Sequence, residues 1–163
     1  MNGVLIIDKP EGLTSHDVVS RCRRILKIKR VGHTGTLDPF ATGVLVILVG
    51  RATRLAQFLD KDVKEYEAVA RFGFETDTLD AVGQVMREAS TSRVNEANLN
   101  AALPAFCGDI EQMPPMYSAI KQDGQKLYDL ARRGETADET KIKPRSVSIS
   151  QLEITRFQPA TQS

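Results

Sequence analysis

One carboxylate stands out by its surroundings. Asp38 lies in GHTGTLDPFATG, residues 32–43, between the basic run RCRRILKIKR and the apolar run VLVILV. The loop is rich in glycine and threonine and holds His33, one of the two histidines, five residues before Asp38. A single carboxylate among small residues, which let a bulky ligand approach the backbone, suits covalent or general-base work at one carbon centre. It does not suit ordinary glycoside hydrolysis, which uses two carboxylates. Two other readings fit the same residues. Asp-Pro is a turn dipeptide whose aspartate is held extended. The glycine-rich amides could also form a loose anion cradle.

Other chemistries lack their residues. His16 and His33 are the only histidines, and no two His or Cys stand at ligand spacing, so no metal is expected. No nucleophile elbow, P-loop or dinucleotide-binding glycine pattern occurs, and no cofactor is expected. Cys22 and Cys107 are far apart and read as inert buried thiols in a reducing compartment. The first apolar run ends after five residues at Asp8 and Lys9, too short for a signal peptide. VLVILV is too short to span a bilayer. The expected location is cytoplasmic.

Charge is uneven. Residues 1–60 hold nine Lys/Arg against five Asp/Glu, so the basic excess gathers in the same part of the chain as Asp38. Its densest patch is Arg21, Arg23, Arg24, Lys27, Lys29 and Arg30. That patch is either a solvated helix face or a surface for a phosphate backbone.

These residues must be positioned by regular elements. GVLIIDK reads as a strand running into a turn at Pro10 and Gly12. Thr14 and Asp17 look like a capping box, followed by a helix with Val18, Val19, Cys22, Ile25 and Leu26 inward. VLVILV reads as a buried strand. A helix is expected around residues 53–60. KEYEAVARFG alternates as a strand, with Tyr66 on its apolar face. A polar loop returns as a short strand at about residues 83–88, and Asn95 caps a helix carrying Leu99, Ala102, Leu103 and Phe106. MPPMYSAI, KQDGQ and LYDLARRG read as strand, turn and helix. SVSISQLEITRF is a last strand, broken after Ile149. The order implies an α+β fold with a mixed, largely antiparallel sheet flanked by helices.

GHTGTLDPFATGVLVI resembles the catalytic motif of the TruB-type tRNA pseudouridine synthases. GVLIIDKPEGLTSHDVV, KEYEAVARFGFETDTLDAVGQV and MPPMYSAIKQDGQKLYDLARRGE resemble three further blocks of that family, in order, from Gly3 to about Phe157. The resemblance implies a pseudouridine synthase-like fold and isomerisation of the T-loop uridine 55 of tRNA. It makes Asp38 the catalytic aspartate and His33 a residue that holds the extruded nucleotides. Tyr66 becomes the aromatic that stacks on uracil, and Lys9 and Pro10 the turn bordering the cleft. The partner implied is the T-arm stem-loop of tRNA, with no obligatory protein partner. On residues alone, Tyr66 could be plain core and His33 a loop-capping hydrogen bonder.

The family's KGTYIR-like motif, whose basic residue pairs with the catalytic aspartate, is not found in the 163 residues. The expectation is therefore an incomplete catalytic domain over residues 1–163, weak or inactive alone, with an exposed sheet edge. The rival readings are a non-catalytic T-arm RNA-binding fragment and a phosphate- or nucleotide-binding domain. PPMYSAIK and the short N-terminus look more like the stand-alone branch of the family than the branch acting in guide-RNA particles.

Overall fold

The computed structural model describes residues 1–59, 63–113, 121–122, 125–126 and 144–159. They fall into two units, Met1–Glu67 and Ala68–Ser163, each considered by itself.

The first unit holds β1 (Gly3–Lys9), α1 (Ser15–Leu26), β2 (Val31–His33) and β3 (Gly43–Val49). The three strands form an antiparallel sheet in the order β1-β3-β2. VLVILV takes the centre because it is apolar on both faces. Gly3 pairs with Val49 and Lys9 with Gly43, while His33 pairs with Ile47. Alternation sends Leu45, Ile47 and Val49 to one face, where Val18, Val19 and Cys22 of α1 and Val31 of β2 close a core. Each such side chain contributes about 1.5–3 kcal/mol when fully buried. Leu48, on the other face, is also fully buried. Here a 3-10 turn, Gly50–Leu55, brings Thr53 Cγ2 within 3.9 Å of where a side chain on Gly32 would begin. Ile25 was expected inward and is exposed. Ile28, in the turn after the helix, packs against the core in its stead.

Both ends of α1 have a physical cause. Thr14 Oγ1 accepts from the Asp17 N–H at 3.0 Å, and Asp17 Oδ2 accepts from the Thr14 N–H at 2.9 Å. The capping box is thus formed as expected. At the other end Lys27 adopts a left-handed conformation, φ 55°, and donates its N–H to Arg23 O. Glycine is the usual residue there, and a side chain costs about 1–2 kcal/mol.

The Thr14 hydroxyl, and after it the Thr14 N–H, hold the Asp17 carboxyl below its ordinary pKa. A lowered folded pKa stabilises above the unfolded value, about 3.9, and that stabilisation is lost as pH falls through the folded value. Asp17→Asn is therefore expected to lower the urea midpoint at pH 6. The gap to the unaltered chain should close as pH falls below about 4. A gap independent of pH would show that the carboxylate charge contributes nothing.

The helix expected around residues 53–60 is split into the 3-10 turn and a single α-turn, α2 (Ala56–Leu59). The strand expected over KEYEAVARFG is not formed, because no described strand pairs with residues 63–72. Alternation gives a segment two faces, but a strand also needs a neighbour for its N–H and C=O groups.

In the second unit β4 (Phe74–Thr76) and β5 (Val85–Glu88) pair antiparallel, with an irregularity between Glu75 and Thr76. Asp80 ties the connecting loop. Its carboxylate accepts from Thr78 Oγ1 at 2.6 Å and from the Val82 N–H at 3.0 Å. Asn95 caps α3 (Glu96–Ala102), as expected, through the Asn98 N–H at 2.9 Å. β6 (Gly108–Gln112), β7 (Lys121–Gln122), β8 (Gln125–Lys126) and β9 (Arg145–Ile149) complete the described elements. β6 pairs with β9, and β7 with β8, so the flanks of the KQDGQ turn are paired. MPPMYSAI beyond its first residue, the centre of KQDGQ and all of LYDLARRG lie outside the described residues. The last strand ends at Ile149, and its expected continuation through Phe157 past a bulge is not formed. All described pairings are antiparallel, in an α+β arrangement.

Candidate active site

Asp38 is held by its neighbours. Leu37, on one side, donates its N–H to Ser15 Oγ at 2.9 Å, and the same hydroxyl reaches Leu37 O at 3.2 Å. Ser15 is buried at the first position of α1. Pro39, on the other side, accepts through its carbonyl from the Gly12 N–H at 2.7 Å and from Lys9 Nζ at 3.3 Å. Gly12 makes its contact from a left-handed conformation, φ 82°, which glycine adopts without strain. The turn closes with Ala41 N–H to Asp38 O at 3.1 Å. Between these fixed peptides the Asp38 side chain is exposed, and no described residue hydrogen-bonds or pairs with its carboxylate.

Lys9 is 0% exposed. Its ammonium donates to Pro10 O at 2.9 Å, Leu13 O at 2.8 Å and Pro39 O. A buried cation needs compensation, and here carbonyls supply it. No carboxylate among the described residues pairs with it. Lys9 thus fastens the turn after β1 to the Asp38 loop, while Pro10 is exposed on that turn.

His33 ends β2 half-buried, and its Nδ1 is buried without a hydrogen-bond partner. Such an atom is uncommon in native proteins. It does not cap the loop through that nitrogen. Tyr66 is 70% exposed, so it is not plain core.

The basic residues divide. Arg23 is half-buried, and its Nη2 donates to Val31 O at 2.8 Å, fixing the first residue of β2. Arg30 donates from Nε to Thr53 Oγ1 at 2.7 Å, and Thr53 in turn donates to Gly50 O. Arg21, Arg24, Lys27 and Lys29 are exposed. The ion pair found among the described residues, Arg87 with Glu75, lies elsewhere. No three His, Cys, Asp or Glu side chains gather among the described residues.

Sequence reasoning singled out neither Ser15 nor the backbone of Gly12 as a support for Asp38. Thr14 drew attention as the cap. The signal for Ser15 is weaker: a hydroxyl at a first helical position that is already capped is free to bond elsewhere.

The first unit is thus an antiparallel α+β scaffold that presents the exposed Asp38 from a loop pinned on both sides. The comparisons narrow that description. A family model described as "TruB family pseudouridylate synthase (N terminal domain)" matches residues 23–163, and the chain belongs to that family. It is 48% identical over 157 residues to a tRNA pseudouridine synthase B of Opitutus terrae, covering 96% of this chain and 64% of that one. It is 50% identical over 154 residues to the same-named protein of Geotalea uraniireducens, covering 94% of this chain and 49% of that one. The chain thus spans about half to two-thirds of the length of these curated relatives. Among solved structures it is similar to a chain of a Cbf5-Nop10-Gar1 complex. That match has a TM-score of 0.57 and 26% identity, covering 96% of this chain and 36% of that one.

Proposed function

We propose that the protein isomerises a uridine of tRNA to pseudouridine, with Asp38 as the reacting group. The supporting observation is the unpaired, exposed Asp38 carboxylate between two fastened peptides, in a chain about half identical to proteins named tRNA pseudouridine synthase B. Residues 1–163 are read as part of the catalytic domain. The target is uridine 55 of the T loop, the partner is the T-arm stem-loop, and the location is the cytoplasm.

Each residue then has a physical task. A base inside a folded RNA loop must leave its stack before chemistry can reach it. Tyr66, exposed, offers a face that compensates lost stacking by about 1–3 kcal/mol. His33, beside the loop, contacts the extruded nucleotides. Lys9 and Pro10 border the cleft, Lys9 by holding the Asp38 loop. The Asp38 carboxylate attacks a carbon of the ribose or of the uracil. The bond from uracil N1 to the ribose breaks, the base turns, C5 bonds to the ribose as the bond to the aspartate is released, the C5 proton leaves to water and N1 takes up a proton. The aspartate is regenerated, so the reaction is an isomerisation.

The proton lost from C5 provides the assay. A T-arm stem-loop carrying tritium at C5 of uridine 55 is mixed with excess protein. Release of tritium to water, slow for this chain, is expected from that RNA, and none from a stem-loop labelled only at a paired stem uridine. Tight RNA binding with no tritium release would replace this reading with that of a non-catalytic RNA-binding protein. Tight binding of free nucleotide, with none of RNA, would replace it with a nucleotide-binding domain.

A further inference from the structure

The turn between α1 and β2 forms a groove of about 420 Å³ lined by Arg23, Arg24, Lys27, Ile28 and Lys29. Three features set it apart from a solvated helix face. First, no Asp or Glu occurs from residue 18 to residue 37, so the groove's own segment offers no counter-charge. None of its cations pairs with an acid among the described residues. Second, Arg23 is fastened to Val31 O and Ile28 packs on the core, so wall and floor are fixed while Arg24, Lys27 and Lys29 are exposed. Third, Lys27 occupies a left-handed position, φ 55°, where glycine or asparagine would be unstrained. A backbone position that costs a side chain about 1–2 kcal/mol here carries an exposed cation.

We infer that this groove is a seat for the RNA phosphate backbone, with Arg24, Lys27 and Lys29 as its contacts and Arg23 and Arg30 as supports of the fold. The inference rests on the RNA reading given above and deepens it. A groove without acids, with one fixed guanidinium and three exposed cations, matches successive phosphates. It offers no flat aromatic face for a base, so it supplies affinity without reading sequence. Lys29 lies four residues before His33, no more than about 14 Å along extended chain. The stem next to a loop engaged at Asp38 can therefore reach it.

The test is fluorescence anisotropy with a labelled T-arm stem-loop across salt concentrations, on the full chain. Lys27→Asn removes the charge and tolerates the left-handed backbone, and Lys27→Arg keeps the charge. Lys29→Gln, the combined Arg24→Gln, Lys27→Asn, Lys29→Gln variant, and Arg93→Gln, an exposed cation of the second unit, complete the set.

Each groove substitution should weaken binding about fivefold near 0.1 M salt and flatten the log–log salt slope by about 0.7–0.9. The triple variant should flatten it by about 2–3. Lys27→Arg should bind as the unaltered chain does. Lys27→Asn should unfold at no lower temperature than the unaltered chain, which separates lost contact from lost fold. Equal effects from Arg93→Gln, or unchanged slopes in the groove variants while the unaltered chain binds RNA, would overturn the groove alone. If the unaltered chain shows no salt-sensitive RNA binding, both the groove and the RNA reading fall.

Discussion

Asp38→Asn is expected to abolish tritium release, by at least about a thousandfold, while leaving the fold and RNA binding in place. The two halves of this expectation come from one observation. The carboxylate is exposed and no described group bonds to it, so its replacement by an amide of the same shape removes no contact from the folded chain. The stability change should stay within about 0.5 kcal/mol. The loop contacts to Ser15, Gly12 and Lys9 run through Leu37 and Pro39, and asparagine keeps them all. Affinity for the T arm should hold or rise slightly, since one negative charge has left a surface that meets phosphates. Activity within about tenfold of the unaltered protein would remove Asp38 from the reaction. A collapse of the urea midpoint would make it a structural aspartate.

Lys9→Met should have the largest effect on stability. The side chain keeps its length and loses its ammonium. Pro10 O and Leu13 O lose their Nζ partner, and Pro39 O keeps the Gly12 N–H. Hydrogen bonds from a charged donor contribute about 1.5–3 kcal/mol each, though water can replace part of that, so a net loss of about 2–4 kcal/mol is expected. Lys9→Arg should not rescue it, because the site is fully buried and built for a point charge with three short donors. Chemical denaturation at neutral pH reads the effect. A midpoint shift equivalent to less than about 0.5 kcal/mol would mean that the ammonium does not hold the loop. Tritium release should fall further than the loss of folded protein accounts for, since the loop that carries Asp38 is what Lys9 fastens.

Much of the first unit was legible in sequence because its signals are local. Thr14 and Asp17 announce a helix start three residues apart. VLVILV declares a central strand by being apolar at every position. The helical spacing of Val18, Val19 and Cys22 identifies the buried face. Local pattern failed where the outcome depends on a distant partner. KEYEAVARFG alternates well, yet no described strand lies beside it, and Tyr66 is out in solvent rather than on a sheet. The lysine of the DKP turn read as a cleft residue. Its burial under three carbonyls depends on Pro39, thirty residues away, and no spacing rule reports such a contact. The basic run showed the same limit. Six similar charges look alike in sequence, and only the positions of Val31 O and Thr53 Oγ1 separate the arginines bound to the fold from the cations left outside.

The contacts that set Asp38 all close within a short stretch of chain. Ser15 reaches Leu37 over 22 residues and Lys9 reaches Pro39 over 30, and the described strands of the sheet beneath them are all paired once Val49 meets Gly3. During synthesis this nest draws hydrogen bonds from no later residue among those described. At about 5–20 residues per second, the ribosome spends several seconds on the residues after Val49. The loop around Asp38 can be shaped while most of these 163 residues have yet to be translated.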